Sequence, residues 1–173
     1  MYKYFVANEY VKNVFEINLE NLKSAGKKVI LTDLDNTLVA SNVAEPTEEI
    51  LEFLSKAKKL GFKVYIVSNN NRARVEKFAK NLDIEAYYNA LKPLKFKSNK
   101  ILQKHKRNEV IFIGDQMLTD ILVANRLDVY SISVTPVNFT VDETATKINR
   151  RLEKLIIKGL KKRNFPVPLH ARD

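Results

Sequence analysis

The chain contains no cysteine, which excludes a disulfide framework and any thiolate metal site. It has two histidines, His105 and His170, too few for a histidine-built metal cluster and a poor basis for a histidine-based triad. A metal would have to be held by oxygen donors, the chemistry of magnesium or calcium. No stretch reaches the roughly 18 apolar residues of a membrane span. Residues 1–9 lack the apolar middle of a secretory signal, so the expectation is a cytoplasmic protein. There is also no internal repeat, low-complexity tract or long linker.

What is present fits one globular domain. The 173 residues are 45% hydrophobic, enough to build a core of their own. The net charge is +10, and residues 147–163 carry +7 of it, with eight basic side chains and one acid, Glu153. The rest of the chain is close to balanced, so the basic character belongs to the C-terminal segment.

Short β-branched runs alternate with helical stretches, the signature of a parallel sheet covered by helices. Strands are expected at 29–32, 64–67, about 85–88, 110–113 and 129–134, and helices at 47–60, 72–82, 98–106, 118–126 and 144–162. Pro46-Thr47-Glu48 suits a helix start and Gly61 its stop. Residues 4–22 read as partly helical, with Val11, Val14, Phe15 and Leu19 or Leu22 on one side.

In a parallel sheet the residues just after each strand gather along one edge. Here those positions hold Asp33 and Asp35, then Ser68-Asn69-Asn70, then Lys92-Pro93, then Gly114-Asp115 with Asp120. Each suits phosphoryl transfer: a carboxylate can attack phosphorus, a hydroxyl and N–H groups can hold phosphate oxygens, a lysine can offset their charge, and acids can bind a metal. Each also has a plainer reading, as a polar strand cap, a turn with a helix cap, an exposed loop lysine or a Gly-Asp turn. Two carboxylates as close as Asp33 and Asp35 repel unless a cation sits between them. The recurrence of such residues at four strand ends in chain order favours a site.

The pattern resembles the haloacid dehalogenase (HAD) superfamily of phosphotransferases. Asp33-Leu34-Asp35-Asn36-Thr37-Leu38 resembles its first motif, DxDxT. Ser68 resembles the second, Lys92 the third, and the stretch from Gly114-Asp115 to Asp120 the fourth, GDxxxxD. Glu9-Tyr10-Val11, Ser68-Asn69-Asn70, Ala90-Leu91-Lys92-Pro93 and Asn125-Arg126 are similar to the YqeG family of subclass IIIA phosphatases. The resemblance covers about residues 9–136 and implies an α/β fold, a Rossmannoid three-layer sandwich with a mainly parallel five-stranded sheet and no large cap domain. It implies Asp33 as nucleophile, Asp35 as general acid/base and Lys92 as the charge-balancing group. It implies Ser68, Asn69, Asn36 and Thr37 as phosphate-binding, and Mg2+ held by Asp33, the Asp35 backbone carbonyl, Asp115 and Asp120.

Neither the gap from Leu38 to Val64 nor that from Asn70 to Lys92 has room for a folded cap. The expected site is therefore open and suited to a large or membrane-presented phosphomonoester. A related subclass IIIA group acts on phosphatidylglycerophosphate, which makes a phospholipid head group one candidate substrate. The expected division is a phosphatase core with an N-terminal helical extension at 1–143 and a basic amphipathic helix and tail at 144–173, on the same domain. Ile148, Leu152, Leu155, Ile156 and Leu160 recur at helical spacing. Three readings of that tail are open: packing on the core, peripheral contact with an anionic membrane, or binding of RNA or ribosomal phosphate. The alternative to an enzyme is an RNA- or ribosome-associated binding protein on the same fold. A phosphoaspartate receiver is weaker, because Asp35 favours rapid hydrolysis. Phe165-Pro166-Val167-Pro168 reads as an extended end.

Overall fold

The computed structural model describes residues 2–138 and 144–171. Six strands, β1 (Glu9–Val11), β2 (Val29–Thr32), β3 (Lys63–Val67), β4 (Glu85–Tyr87), β5 (Val110–Gly114) and β6 (Tyr130–Val134), form one sheet in the order β1-β6-β5-β2-β3-β4. Every pairing is parallel. The chain leaves β2 for β3 on one side and returns to β5 on the other, so β2 is the switch point where open α/β sheets open a crevice.

Helices α1 (Leu19–Ser24), α2 (Glu48–Lys59), α3 (Arg72–Ala79), α4 (Phe96–Leu102), α5 (Leu122–Leu127) and α6 (Thr144–Lys161) complete the described elements with short 3₁₀ turns. Side chains alternate across the sheet. Ile30, Ile66, Ile111 and Ile113 pack with Phe53, Leu54, Val75 and Phe78 of α2 and α3. Val29, Leu31, Tyr65 and Phe112 pack on the opposite face with Ile101 of α4 and Val123 and Leu127 of α5. The central strands are buried on both sides, which is why they read as unbroken apolar runs. Helix α2 begins as its sequence suggests: Thr47 Oγ1 accepts from the Ile50 N–H, and Gly61 takes φ 78° just past the end.

Three expectations need correction. The sheet has six strands, not five, because residues 9–11 are an edge strand rather than part of a helix. Asn8 fixes their register: its N–H donates to Ser131 O at 3.0 Å, and its Oδ1 accepts from the Ser131 N–H at 2.8 Å. Val11, Val14, Leu19 and Leu22 are buried as anticipated, whereas Phe15 is exposed and meets Phe53 edge-on. Second, the helix expected at 118–126 is a π-helical turn, Met117–Ile121, followed by α5. Its wide bond runs from the Ile121 N–H to Gln116 O at 3.2 Å, five residues back. Third, the apolar stripe of α6 is divided. Leu160 is buried against Met117 and Val167, with Ile156 beside them, while Ile148, Leu152 and Leu155 face solvent. Val167 is thus packed, not an extended free end. The expected boundary at residue 143 lies outside the described residues.

Candidate active site

The β2 strand delivers Asp33 at its carboxyl end, and the Asp33 N–H continues the ladder by donating to Ile113 O at 2.9 Å. The chain then turns tightly. Asn36 takes a positive φ of 65°, its N–H donates to Val39 O at 2.7 Å, and the Thr37 N–H donates to Leu34 O at 3.3 Å. Both amides bond within the loop and fix its shape. The Thr37 side chain donates to Asp115 Oδ1 at 3.0 Å.

Asp33, Asp115 and Asp120 converge. All three are buried, and their carboxylate oxygens lie within 4.8 Å of one another. Gly114 permits this, since a Cβ there would overlap Asp120 and come within 2.6 Å of its Oδ2. The π turn carries Asp120 inward, and the Gln116 N–H donates to Asp120 Oδ2 at 3.0 Å. Lys92 enters from the opposite rim, its Nζ 2.5 Å from Asp33 Oδ1 and 2.7 Å from Asp120 Oδ1.

The charges explain one another. Burial pushes the Asp33 carboxyl well above its ordinary value, and the neighbouring Asp120 and Asp115 add to this while Lys92 opposes it. Burial raises Asp115 to about 6, with Asp120 pushing the same way and Arg150 and Thr37 opposing. Burial alone would lower Lys92, but the carboxylates of Asp120 and Asp33 outweigh it and hold the ammonium firmly charged. Three crowded oxyanions without a sulfur or imidazole ligand among them are a donor set for a hard divalent cation.

Sequence reasoning missed several residues that hold this arrangement. Asp35 lines the cleft, and Arg74 grips its Oδ1 through Nε at 3.0 Å and Nη2 at 2.9 Å. Asn70 Nδ2 donates to Asp35 Oδ2 at 3.0 Å. Asn69 lines the cleft, and its side chain clamps the backbone of Lys92: Oδ1 accepts from the Lys92 N–H at 2.6 Å and Nδ2 donates to Lys92 O at 3.1 Å. Ser68 Oγ accepts from the Asn70 N–H at 3.1 Å, which leaves its own O–H to donate. Arg150 of α6 reaches in to pair with Asp115 and with Glu153 Oε2. Glu153 in turn accepts from the Leu118 N–H at 3.1 Å. The position of Arg74, one turn into the helix after Ser68-Asn69-Asn70, is the one signal that could have found it.

The cleft bounded by Asp33, Asp35, Ser68, Asn69, Lys92 and, from α6, Thr146 and Asn149 has a volume of about 150 Å³. That is on the order of five waters at about 30 Å³ each, and well below the roughly 300–1,000 Å³ that encloses a drug-sized ligand. Among the described residues no cap domain is inserted between the strands.

Known proteins are similar to this chain in sequence and in fold. The family described as haloacid dehalogenase-like hydrolase matches residues 4–128. The probable phosphatase YqeG of Bacillus subtilis is 40% identical over 163 residues, spanning 93% of this chain and 94% of the relative. A copper-transporting ATPase of Helicobacter pylori is 28% identical over 148 residues, 79% of this chain but 20% of that larger protein. An uncharacterized protein from Listeria monocytogenes superposes with a TM-score of 0.51 at 18% identity, over 76% of this chain and 99% of that one, and shares the fold. The matched span contains all four strand ends that build the cleft, and the chain belongs to the haloacid dehalogenase superfamily of hydrolases as a phosphatase of YqeG type.

Proposed function

We propose that the protein is a magnesium-dependent phosphomonoester hydrolase that works through an aspartyl-phosphate on Asp33, with a large, membrane-presented substrate. The observation that carries this reading is the meeting of Asp33, Asp115, Asp120 and Lys92 in one buried cluster, from which Asp33 and Lys92 reach a small cleft that Asp35 also lines. Asp33 Oδ attacks phosphorus as the bond to the leaving oxygen breaks, and Asp35 supplies that oxygen with a proton. Asp35 then takes a proton from a water that attacks the phosphoryl group, which releases phosphate and restores the Asp33 carboxylate. Ser68 Oγ–H steadies a phosphate oxygen, and Lys92 balances charge beside the attacking carboxylate. Asp33, Asp115, Asp120 and the Asp35 carbonyl would hold Mg2+, which would supply the charge compensation that lets a carboxylate approach a phosphate dianion.

The cleft volume supports a substrate that brings its own cover, and a phospholipid monoester such as phosphatidylglycerophosphate has that form. Cytoplasmic residence against a membrane surface belongs to the same proposal; no helix of the described residues is long and apolar enough to cross one. The test compares wild type with Asp33→Asn on p-nitrophenyl phosphate and on phosphatidylglycerophosphate in vesicles, with and without chelator. Turnover should vanish with the substitution or the chelator while the circular dichroism spectrum is unchanged. Full activity in Asp33→Asn refutes the nucleophile, and lipid turnover no faster than the soluble ester refutes the substrate.

A further inference from the structure

The inner face of α6 is spent on the site: Thr146 and Asn149 line the cleft, Arg150 pairs with Asp115, and Leu160 is buried in the small cluster beneath. The outer face has no such partner among the described residues. Ile148, Leu152 and Leu155, spaced at i, i+4 and i+7, are 52%, 48% and 64% exposed. Arg151, Lys154, Lys158 and Lys162 lie exposed beside them. The helix has a single acid, Glu153, and it is turned inward to Arg150 and the Leu118 N–H, so no carboxylate of the helix offsets those cations, and none pairs with Arg151, Lys154 or Lys158 among the described residues. Exposed apolar side chains recur on other segments that border the cleft. Leu91, Leu94 and Phe96 flank Lys92 in the chain, and the N–H of Val137 donates to Asn36 O at 3.0 Å.

We propose that the outer face of α6 docks the protein on an anionic lipid bilayer, the apolar ridge entering the headgroup boundary and the cations meeting lipid phosphates. The combination selects a bilayer over other anions. RNA would satisfy Arg151, Lys154 and Lys158 but leave Ile148, Leu152 and Leu155 in water, whereas a bilayer surface takes both. The proposal names the partner of the phosphatase reading and rests on that reading only for the purpose of the docking. Because the opposite face of the same helix walls the cleft, docking holds the site about one helix diameter, roughly 10–12 Å, from the bilayer surface.

The test is co-sedimentation of the full chain with vesicles of phosphatidylcholine alone, or of phosphatidylcholine and phosphatidylglycerol in equal parts. Two triple variants accompany it, Ile148→Ser/Leu152→Ser/Leu155→Ser and Arg151→Gln/Lys154→Gln/Lys158→Gln. The wild type should sediment with the anionic vesicles and not with phosphatidylcholine. At roughly fivefold per surface cation, the charge variant should lose about a hundredfold in partitioning, and the ridge variant should lose binding as well. Both should retain wild-type turnover of p-nitrophenyl phosphate. Failure of the wild type to sediment, or binding that survives both variants, overturns the proposal. Retention of polyuridylate by the ridge variant, with no vesicle binding by the wild type, assigns the face to nucleic acid instead. Absent p-nitrophenyl phosphate turnover with vesicle binding intact would refute the phosphatase reading and leave the docking face standing.

Discussion

Replacing Lys92 by Met tests the electrostatic logic of the site most directly. The ammonium lies 2.5 Å from Asp33 Oδ1 and 2.7 Å from Asp120 Oδ1, and all three side chains are buried. Methionine fills nearly the same volume, so packing changes little. What is lost is the one cation shared by two buried carboxylates, and removing one partner of such a pair costs about 3–5 kcal/mol. A domain of this size loses about 2–4 °C for each kcal/mol, so the metal-free melting temperature should fall by roughly 6–20 °C. The fall should depend on pH. Burial already holds Asp33 well above the usual carboxylate range, and at pH 5 the variant can take up a proton there instead of bearing a bare charge. At pH 8 protonation is costly and the full penalty appears. Mg2+ should recover part of the loss, because it supplies the missing positive charge, while turnover stays about 10²–10³-fold down as for loss of one transition-state donor. Thermal melts in chelator and in Mg2+ at the two pH values decide the matter. A variant melting within 2 °C of wild type at pH 8 in chelator would refute the claim that Lys92 neutralises the buried pair.

Gly114→Ala should abolish turnover and cost about 1–3 kcal/mol, because the new methyl group occupies the space of Asp120; near-normal activity in phosphate-release assays would contradict this. Arg74→Ala removes both guanidinium contacts to Asp35 and, at about 1.5–3 kcal/mol for hydrogen bonds to a charged group, should lower kcat by roughly 10–150-fold with little change in KM. Arg74→Lys should restore only part of it, since a single ammonium cannot repeat the two-pronged grip. Glu153 is raised by burial to about 7 from an ordinary 4.5, so the folded protein holds a proton there that the unfolded chain has released. Its contribution to stability therefore falls as pH rises from about 4.5 to about 7 and is level above. Urea midpoints of wild type relative to Glu153→Gln should decline across that window in chelator, and a rising difference would show the sign to be wrong.

The parts of the fold that the sequence disclosed are those governed by local rules. Val29–Thr32 and Val110–Gly114 are buried on both faces and so carry continuous apolar runs, and Thr47 and Gly61 mark helix ends through their own backbone chemistry. The segment 9–11 is too short for a periodic signal, and its strand state is set by a partner over a hundred residues away, through Asn8 and Ser131. The π turn at Met117–Ile121 has the same composition as a helix; its wider bond serves to bring Asp120 over Gly114, a constraint that no window of sequence contains.

The candidate site divides in the same way. Residues that follow a strand are brought together by the parallel topology itself, so Asp33, Ser68, Lys92 and Asp115 could be placed from strand order alone. The side chains that hold them obey no such rule. Arg74 is an ordinary charge on an amphipathic helix until the loop after β2 turns Asp35 toward it, and Arg150 is one of eight basic residues in a segment whose composition points outward. A charge drawn inward differs from its neighbours only in having a buried partner. Asp115 and Glu153 give Arg150 two, whereas Arg151 and Lys154 have no ion-pair partner among the described residues and remain at the surface. One helix can therefore serve the cleft with one face and leave another for a partner, and composition alone, which sums the two faces, conceals both.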